Sequence, residues 1–118
     1  MSTQPERVSD YLAHMDEAIG LACSFVEGLT KDDFLSDRKT QQAVILNLIV
    51  LGEATSKIAA EAPEFLAVHP ELPWQQMRGM RNRMAHGYFE INLDVVWETV
   101  KVSLPGLQRQ LAPLLANT

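Results

Sequence analysis

Residues 43–54 read AVILNLIVLGEA, and no other stretch limits the fold as tightly. Its apolar residues do not keep to one helical face; they run almost all the way round. A helix of that kind is buried on more than one side. Ser36 or Asp37 stands where an N-cap is needed, and the helical pattern then runs from Arg38 to about Ala60. The apolar run at 43–51 is interrupted by Asn47 and is too short to cross a bilayer, so no membrane partner is expected. In a chain of 118 residues, full burial of such a helix within one copy is hard to achieve, which points to a subunit interface. Asn47 and Glu53 lie inside the apolar stretch and need polar partners. An arginine from residues 78–83 is one candidate for Glu53.

The rest of the chain supplies helices to pack against it. Val8, Tyr11, Leu12, Met15, Ile19, Ala22 and Val26 step by three and four, which makes one apolar stripe on a helix. Pro5 and Glu6 suit its first turn and Gly28 its end. Cys23 flanks the stripe and reads as a small buried hydrophobe. Thr30, with Asp33 three residues later, reads as the N-cap of a short helix through Phe34 and Leu35. Residues 63–73 form a connector with three prolines, one short helical turn at 63–66 and a loop histidine, His69. Pro73 suits the first position of a helix through Trp74, Met77, Met80, Arg81 and Met84. His86-Gly87 ends that helix in the manner of a cap, the cation suiting the dipole and the glycine a left-handed turn. After a loop at 88–93, Asp94 serves as N-cap or first-turn acid of a last helix through Val95, Val96, Trp97, Val100 and Leu104. Pro105-Gly106 should break or kink it before a tail helix carrying Leu107, Leu111, Leu114 and Leu115. There is no β pattern, internal repeat or coiled-coil heptad run. The expected fold is all-α: one domain over 1–118, an antiparallel bundle of four main helices with short accessory helices.

The chemistry concentrates in MRGMRNRMAHGYFE, residues 77–90, which holds Arg78, Arg81, Arg83, His86 and Tyr88. Three of the ten Lys and Arg residues fall between 78 and 83. Arginine grips phosphate or carboxylate, histidine moves protons near neutral pH, and tyrosine offers a hydroxyl. Three arginines on an amphipathic helix are, more often than not, a solvated face. At about 100° per residue, Arg78, Asn82 and His86 form one ridge, whereas Arg81 lies about 140° from His86. One straight helix therefore does not put Arg81 and His86 on the same phosphate. Either the helix unwinds at His86-Gly87, or a symmetric dimer brings two copies of the ridge together.

Composition removes several alternatives. Net charge is −5 and the pI about 5.1, wrong for a protein that coats nucleic acid nonspecifically but no bar to a locally basic site. Aromatic residues are only 7%, too few for a base-stacking single-strand coat. The one cysteine excludes an internal disulfide and a cysteine metal site, which fits a reducing cytoplasm. No paired histidine motif suggests a metal, no Gly-x-x-x-x-Gly-Lys loop suggests a nucleoside triphosphate, and Ser103 has no histidine nearby in sequence. Phosphoryl chemistry here would be metal-free and cofactor-free, with Arg81 stabilising charge and His86 as acid or base.

The order Arg81-Asn82-Arg83-Met84-Ala85-His86-Gly87-Tyr88 has the form Arg-x-x-x-x-His-x-Tyr. With Phe34-Leu35-Ser36-Asp37-Arg38-Lys39-Thr40-Gln41, Asn47, Gly52-Glu53-Ala54, Pro73-Trp74, Val96-Trp97-Glu98-Thr99 and Leu104-Pro105, it resembles the HepT-like family of HEPN-domain ribonuclease toxins over nearly the whole chain. The resemblance implies a helical bundle that forms homodimers, with the Arg/His sites at the dimer cleft. It implies metal-independent RNA cleavage, with transfer RNA one candidate substrate. Arg81 would stabilise the scissile phosphate and His86 would transfer the proton as the 2′-hydroxyl attacks. Asn82 would help orient the phosphate, beside Arg78. The implied partner is a minimal nucleotidyltransferase antitoxin that transfers AMP to Tyr88 and blocks the cleft. The alternative from a different class is a non-catalytic helical module that complexes with the nucleotidyltransferase. A third is a nucleotide-binding regulatory protein.

Overall fold

A computed structural model describes residues 4–117, with side chains described from Arg7 onward. Every regular element among them is helical: α1 (Gln4–Phe25), α2 (Lys31–Leu35), α3 (Arg38–Glu61), α4 (Pro63–Ala67), α5 (Trp74–His86), a 3-10 turn (Tyr88–Glu90), α6 (Leu93–Glu98), a π segment (Thr99–Ser103) and α7 (Leu104–Ala116). The stripe on α1 is the predicted one, with Val8, Leu12, Met15, Ile19, Ala22 and Val26 all buried. Pro5 and Glu6, expected in the first turn of α1, have side chains outside the described residues. After α1, Gly28 takes φ +78°, the left-handed conformation that a side chain disfavours.

The caps explain where the next helices begin. Thr30 and Asp33 form a reciprocal capping box at α2. Asp37, not Ser36, caps α3, accepting from the Thr40 backbone N–H at 3.1 Å and from the Thr40 hydroxyl at 2.6 Å. Those two Thr40 bonds hold the Asp37 carboxyl below its ordinary range.

α3 is the central element. Tyr11 donates to Glu61 at 2.7 Å, and Thr55 reaches toward Met15, so early α1 meets late α3 and the two run antiparallel. On another side, Gly52 and Glu53 meet Arg81 while Thr55 meets Met77, so α5 also runs antiparallel to α3. The close approach has a specific cause. A Cβ on Gly52 would run into the Arg81 Cβ and lie 2.8 Å from the Met77 carbonyl oxygen, so only glycine lets α5 settle there. α7 and the π segment return along the far side of α1, with Cys23 beside the Val100 carbonyl. Burial pushes the Cys23 thiol up from its ordinary value, in keeping with its reading as a packed hydrophobe.

Taken whole, α3 is long and apolar enough by length and composition to span a bilayer, although its uninterrupted apolar run is not. Its Val44, Ile45, Leu48, Leu51 and Ile58 are instead buried among the other helices. The third side of α3 stays open: Leu46 is 60% exposed and Val50 37% exposed, one turn apart.

Three expectations shift. Pro73 is the N-cap of α5 and not its first helical residue. Asn92, not Asp94, caps α6, its side chain accepting from the Asp94 and Val95 backbone N–H groups; Asp94 is the first-turn acid. The last helix is not broken at Pro105-Gly106. Proline has no N–H and crowds the carbonyl four residues back, and the helix absorbs this by widening. The Leu104 N–H reaches back five residues to the Thr99 carbonyl, and α7 then continues.

Candidate active site

Arg81 projects from α5 toward α3, as its angular distance from His86 requires. Its Nε and Nη2 both donate to Glu53 Oε1, at 3.0 and 2.7 Å. This is the partner that the acid within the apolar stretch needed; Asn47 satisfies itself locally by donating to the Ala43 carbonyl. The third nitrogen, Nη1, donates 2.6 Å to Asn82 Oδ1. Charge-assisted bonds of this kind fix the plane of the guanidinium. The Arg81 side chain keeps only 24% of its exposure, against 47% for Glu53.

Asn82, Arg83, His86 and Gly87 line a cavity of about 540 Å³ that is closed on the other side by Glu90, Ile91, Asn92 and α6. His86 is exposed there, at the last position of α5. Asn82 connects the two halves of the arrangement. Its carbonyl oxygen is taken by Arg81, which leaves its NH2 free to donate to an incoming oxyanion. Arg78 is exposed on the same ridge, one turn before Asn82, and does not line the cavity. Within one chain, therefore, His86 and Asn82 share a cavity, Arg81 touches it through Asn82, and Arg78 extends the ridge outward.

α5 ends at His86, and its last helical bond runs from the Gly87 N–H to the Arg83 carbonyl at 2.8 Å. Gly87 does not take the expected left-handed turn; its φ is −121°. Glycine is required there for a different reason: a Cβ would stand 2.9 Å from the Arg83 carbonyl oxygen. Tyr88, 48% exposed, follows at once in the 3-10 turn, and its hydroxyl accepts from Gln42 Nε2 of α3 at 3.2 Å. The Gln42 contact has no signal in the sequence, since it joins residues 46 apart. Among the described residues, no three His, Cys, Asp or Glu side chains gather as a metal-binding group.

The arrangement can seat an oxyanion against Asn82 and His86, with Arg81 contributing positive charge from behind. Glu53 sets how much of that charge is available.

Residues 15–114 match the family described as ribonuclease HepT-like. A protein of Thermococcus cleftensis named "Probable ribonuclease HepT" is 41% identical over 105 residues, covering 89% of this chain and 93% of that protein. A Methanocaldococcus jannaschii protein with RNase in its name is 33% identical, covering 92% of this chain and 84% of its own length. One from Caldanaerobacter subterraneus subsp. tengcongensis, also named for RNase, is 30% identical, covering 89% and 91%. No solved structure matches. An all-helical chain matched from Met15 to Leu114, with relatives of nearly its own length, is a member of the HepT-like family.

Proposed function

We propose that this chain is a cytoplasmic ribonuclease toxin that cleaves RNA without a metal ion and is silenced by AMP transfer to Tyr88. The observation that carries the reading is one cavity lined by a free amide, Asn82, and an exposed imidazole, His86, with the held Arg81 cation bonded to Asn82 behind it. Membership of a family whose relatives are named as ribonucleases supports it.

In the reaction, the RNA 2′-hydroxyl attacks the adjacent phosphorus. His86 takes the hydroxyl proton, the bond to the 5′-oxygen breaks, that oxygen leaves as a hydroxyl with a proton from water, and a 2′,3′-cyclic phosphate remains. Arg81 and Asn82 offset the charge that builds on the phosphoryl oxygens, and Arg78 holds a neighbouring phosphate.

We further infer that the working unit is a homodimer of one-domain, four-helix-type bundles. Leu46, Val50 and Glu53 follow one another at three and four residues along the open side of α3, so the exposed apolar stripe ends at the Glu53–Arg81 pair. A second copy covering that stripe would bring the two sites to one cleft. Leu46→Glu is expected to convert the dimer to monomer in sedimentation or light scattering; an unchanged mass would remove this part.

Silencing rests on Tyr88. Its phenolic oxygen would attack the α-phosphorus of ATP on a nucleotidyltransferase partner. Pyrophosphate leaves, the phenol loses its proton, and AMP is left as a phosphodiester two residues from His86. That adds a negative charge and bulk beside the cavity-lining Gly87. Tyr88→Phe is expected to retain growth arrest on expression and to escape rescue by the nucleotidyltransferase. Rescue of Tyr88→Phe as complete as that of the wild type would reject modification at this residue.

One observation favours the other reading, a non-catalytic module that binds the nucleotidyltransferase. Glu53 and Asn82 engage all three guanidinium nitrogens of Arg81. Expression alone separates the two. A ribonuclease arrests growth and loses that effect with Arg81→Ala; a binding module does neither.

A further inference from the structure

Two cations open α3. Arg38 and Lys39 occupy its first turn, which holds no acidic residue. Positive side chains there face the positive end of the helix dipole, so helix stability does not call for them. Both are exposed, and neither side chain donates a hydrogen bond among the described residues, although the Lys39 charge helps to hold the Asp37 carboxyl down. Several other cations are engaged: Lys31 pairs with Asp94, Arg81 with Glu53, and Lys101 lies over the Trp97 ring. Asp37, the residue before them, spends its hydrogen bonds mainly on Thr40 and feels the Lys39 charge only weakly beside those.

Gln42 lies three residues beyond Lys39 and four beyond Arg38, on the same helical face. Its amide touches the Tyr88 hydroxyl. The basic turn is thus joined through Gln42 to Tyr88, which follows the cavity-lining Gly87 in the chain. On the other side of Tyr88 stands Phe89, 99% exposed, its ring edge-on to Tyr88 with centroids 6.0 Å apart. A fully exposed phenylalanine, linked through Tyr88 and Gln42 to a turn with two exposed cations, is the combination that single-stranded nucleic acid uses, one element for the bases and one for the backbone.

We propose that Arg38, Lys39 and Phe89 form a second station for single-stranded RNA, flanking the cleavage site: Arg38 and Lys39 hold backbone phosphates and Phe89 stacks a base. This rests on the ribonuclease reading above. It assigns sequence-tolerant affinity to α3 and the 3-10 turn, and leaves bond cleavage to α5.

Binding of a fluorescent, single-stranded 2′-O-methyl RNA tests it, because that probe has no free 2′-hydroxyl to attack and stays intact. Affinity is measured over a salt series for the wild type, for Arg38→Gln with Lys39→Gln, and for Phe89→Ser, each checked for an unchanged melting temperature. The double variant should bind more weakly, and its log–log salt slope should shrink by about 1.4, since each single-strand phosphate contact contributes about 0.7. Phe89→Ser should lose roughly 5- to 150-fold in affinity with the slope unchanged, as expected for one lost stacking contact. If the wild type binds and both variants match it in affinity and slope, the station is rejected while the ribonuclease reading stands. A Phe89→Ser effect on oligomeric mass instead of RNA affinity would reject the stacking role. If the wild type binds no RNA at all, both readings fall.

Discussion

Replacing His86 by alanine is expected to lower RNA cleavage by about 10²- to 10⁴-fold, the usual worth of a positioned proton-transfer group. The fold should survive. His86 is exposed at the last position of α5, and the Gly87 N–H, not the imidazole, closes the helix on the Arg83 carbonyl. The loss should therefore appear in turnover with little change in RNA affinity, because Arg78, Arg81 and Asn82 remain. Cleavage of total RNA under single-turnover conditions, beside a melting curve, is the check. A variant that cleaves as well as the wild type would mean that the imidazole is only a helix-end cation favoured by the dipole.

Gly52→Ala is expected to damage both stability and activity, although residue 52 touches no substrate. The added methyl would collide with the Arg81 Cβ and press on the Met77 carbonyl, and neither is the free end of a flexible side chain. α3 and α5 must separate. Overpacking of this kind costs about 1–3 kcal/mol, read as a lower denaturant midpoint at an unchanged slope. The same displacement pulls Arg81 off Glu53, so activity should fall further than the stability loss accounts for. Gly20→Ala is the control, since a Cβ there meets only the Gln108 side chain at 3.8 Å. Equal behaviour of the two variants would mean that the α3–α5 contact is looser than described.

Gly52 also shows what the sequence could and could not disclose. Its neighbour Glu53 was legible: an acid inside an apolar stretch needs a partner, and the arginines at 78–83 were the candidates. The stripe on α1, the capping box at Thr30 and the cap at Asp37 were equally open, because each depends on residues three or four apart. The angular split between Arg81 and His86 was visible for the same reason, and it is what sends Arg81 to Glu53 and leaves His86 on the cavity.

Long-range packing and backbone compromise were not visible. Nothing local marks Gln42 as the partner of Tyr88. Gly87 was expected to be left-handed, but its constraint is the nearby Arg83 carbonyl. Pro105 signals trouble for a helix without saying how it is resolved, and the π segment resolves it without a break. Asn92 outcompetes Asp94 as a cap because its side chain reaches two backbone N–H groups at once.

The central claim is that this helical chain cuts RNA with Arg81, Asn82 and His86 and no metal. Its most direct test is cleavage of total cellular RNA by freshly purified, unmodified protein in excess EDTA, with His86→Ala alongside. The predicted result is fragments ending in 2′,3′-cyclic phosphate from the wild type and intact RNA from the variant. Intact RNA from both, or equal cleavage by both, would contradict the claim.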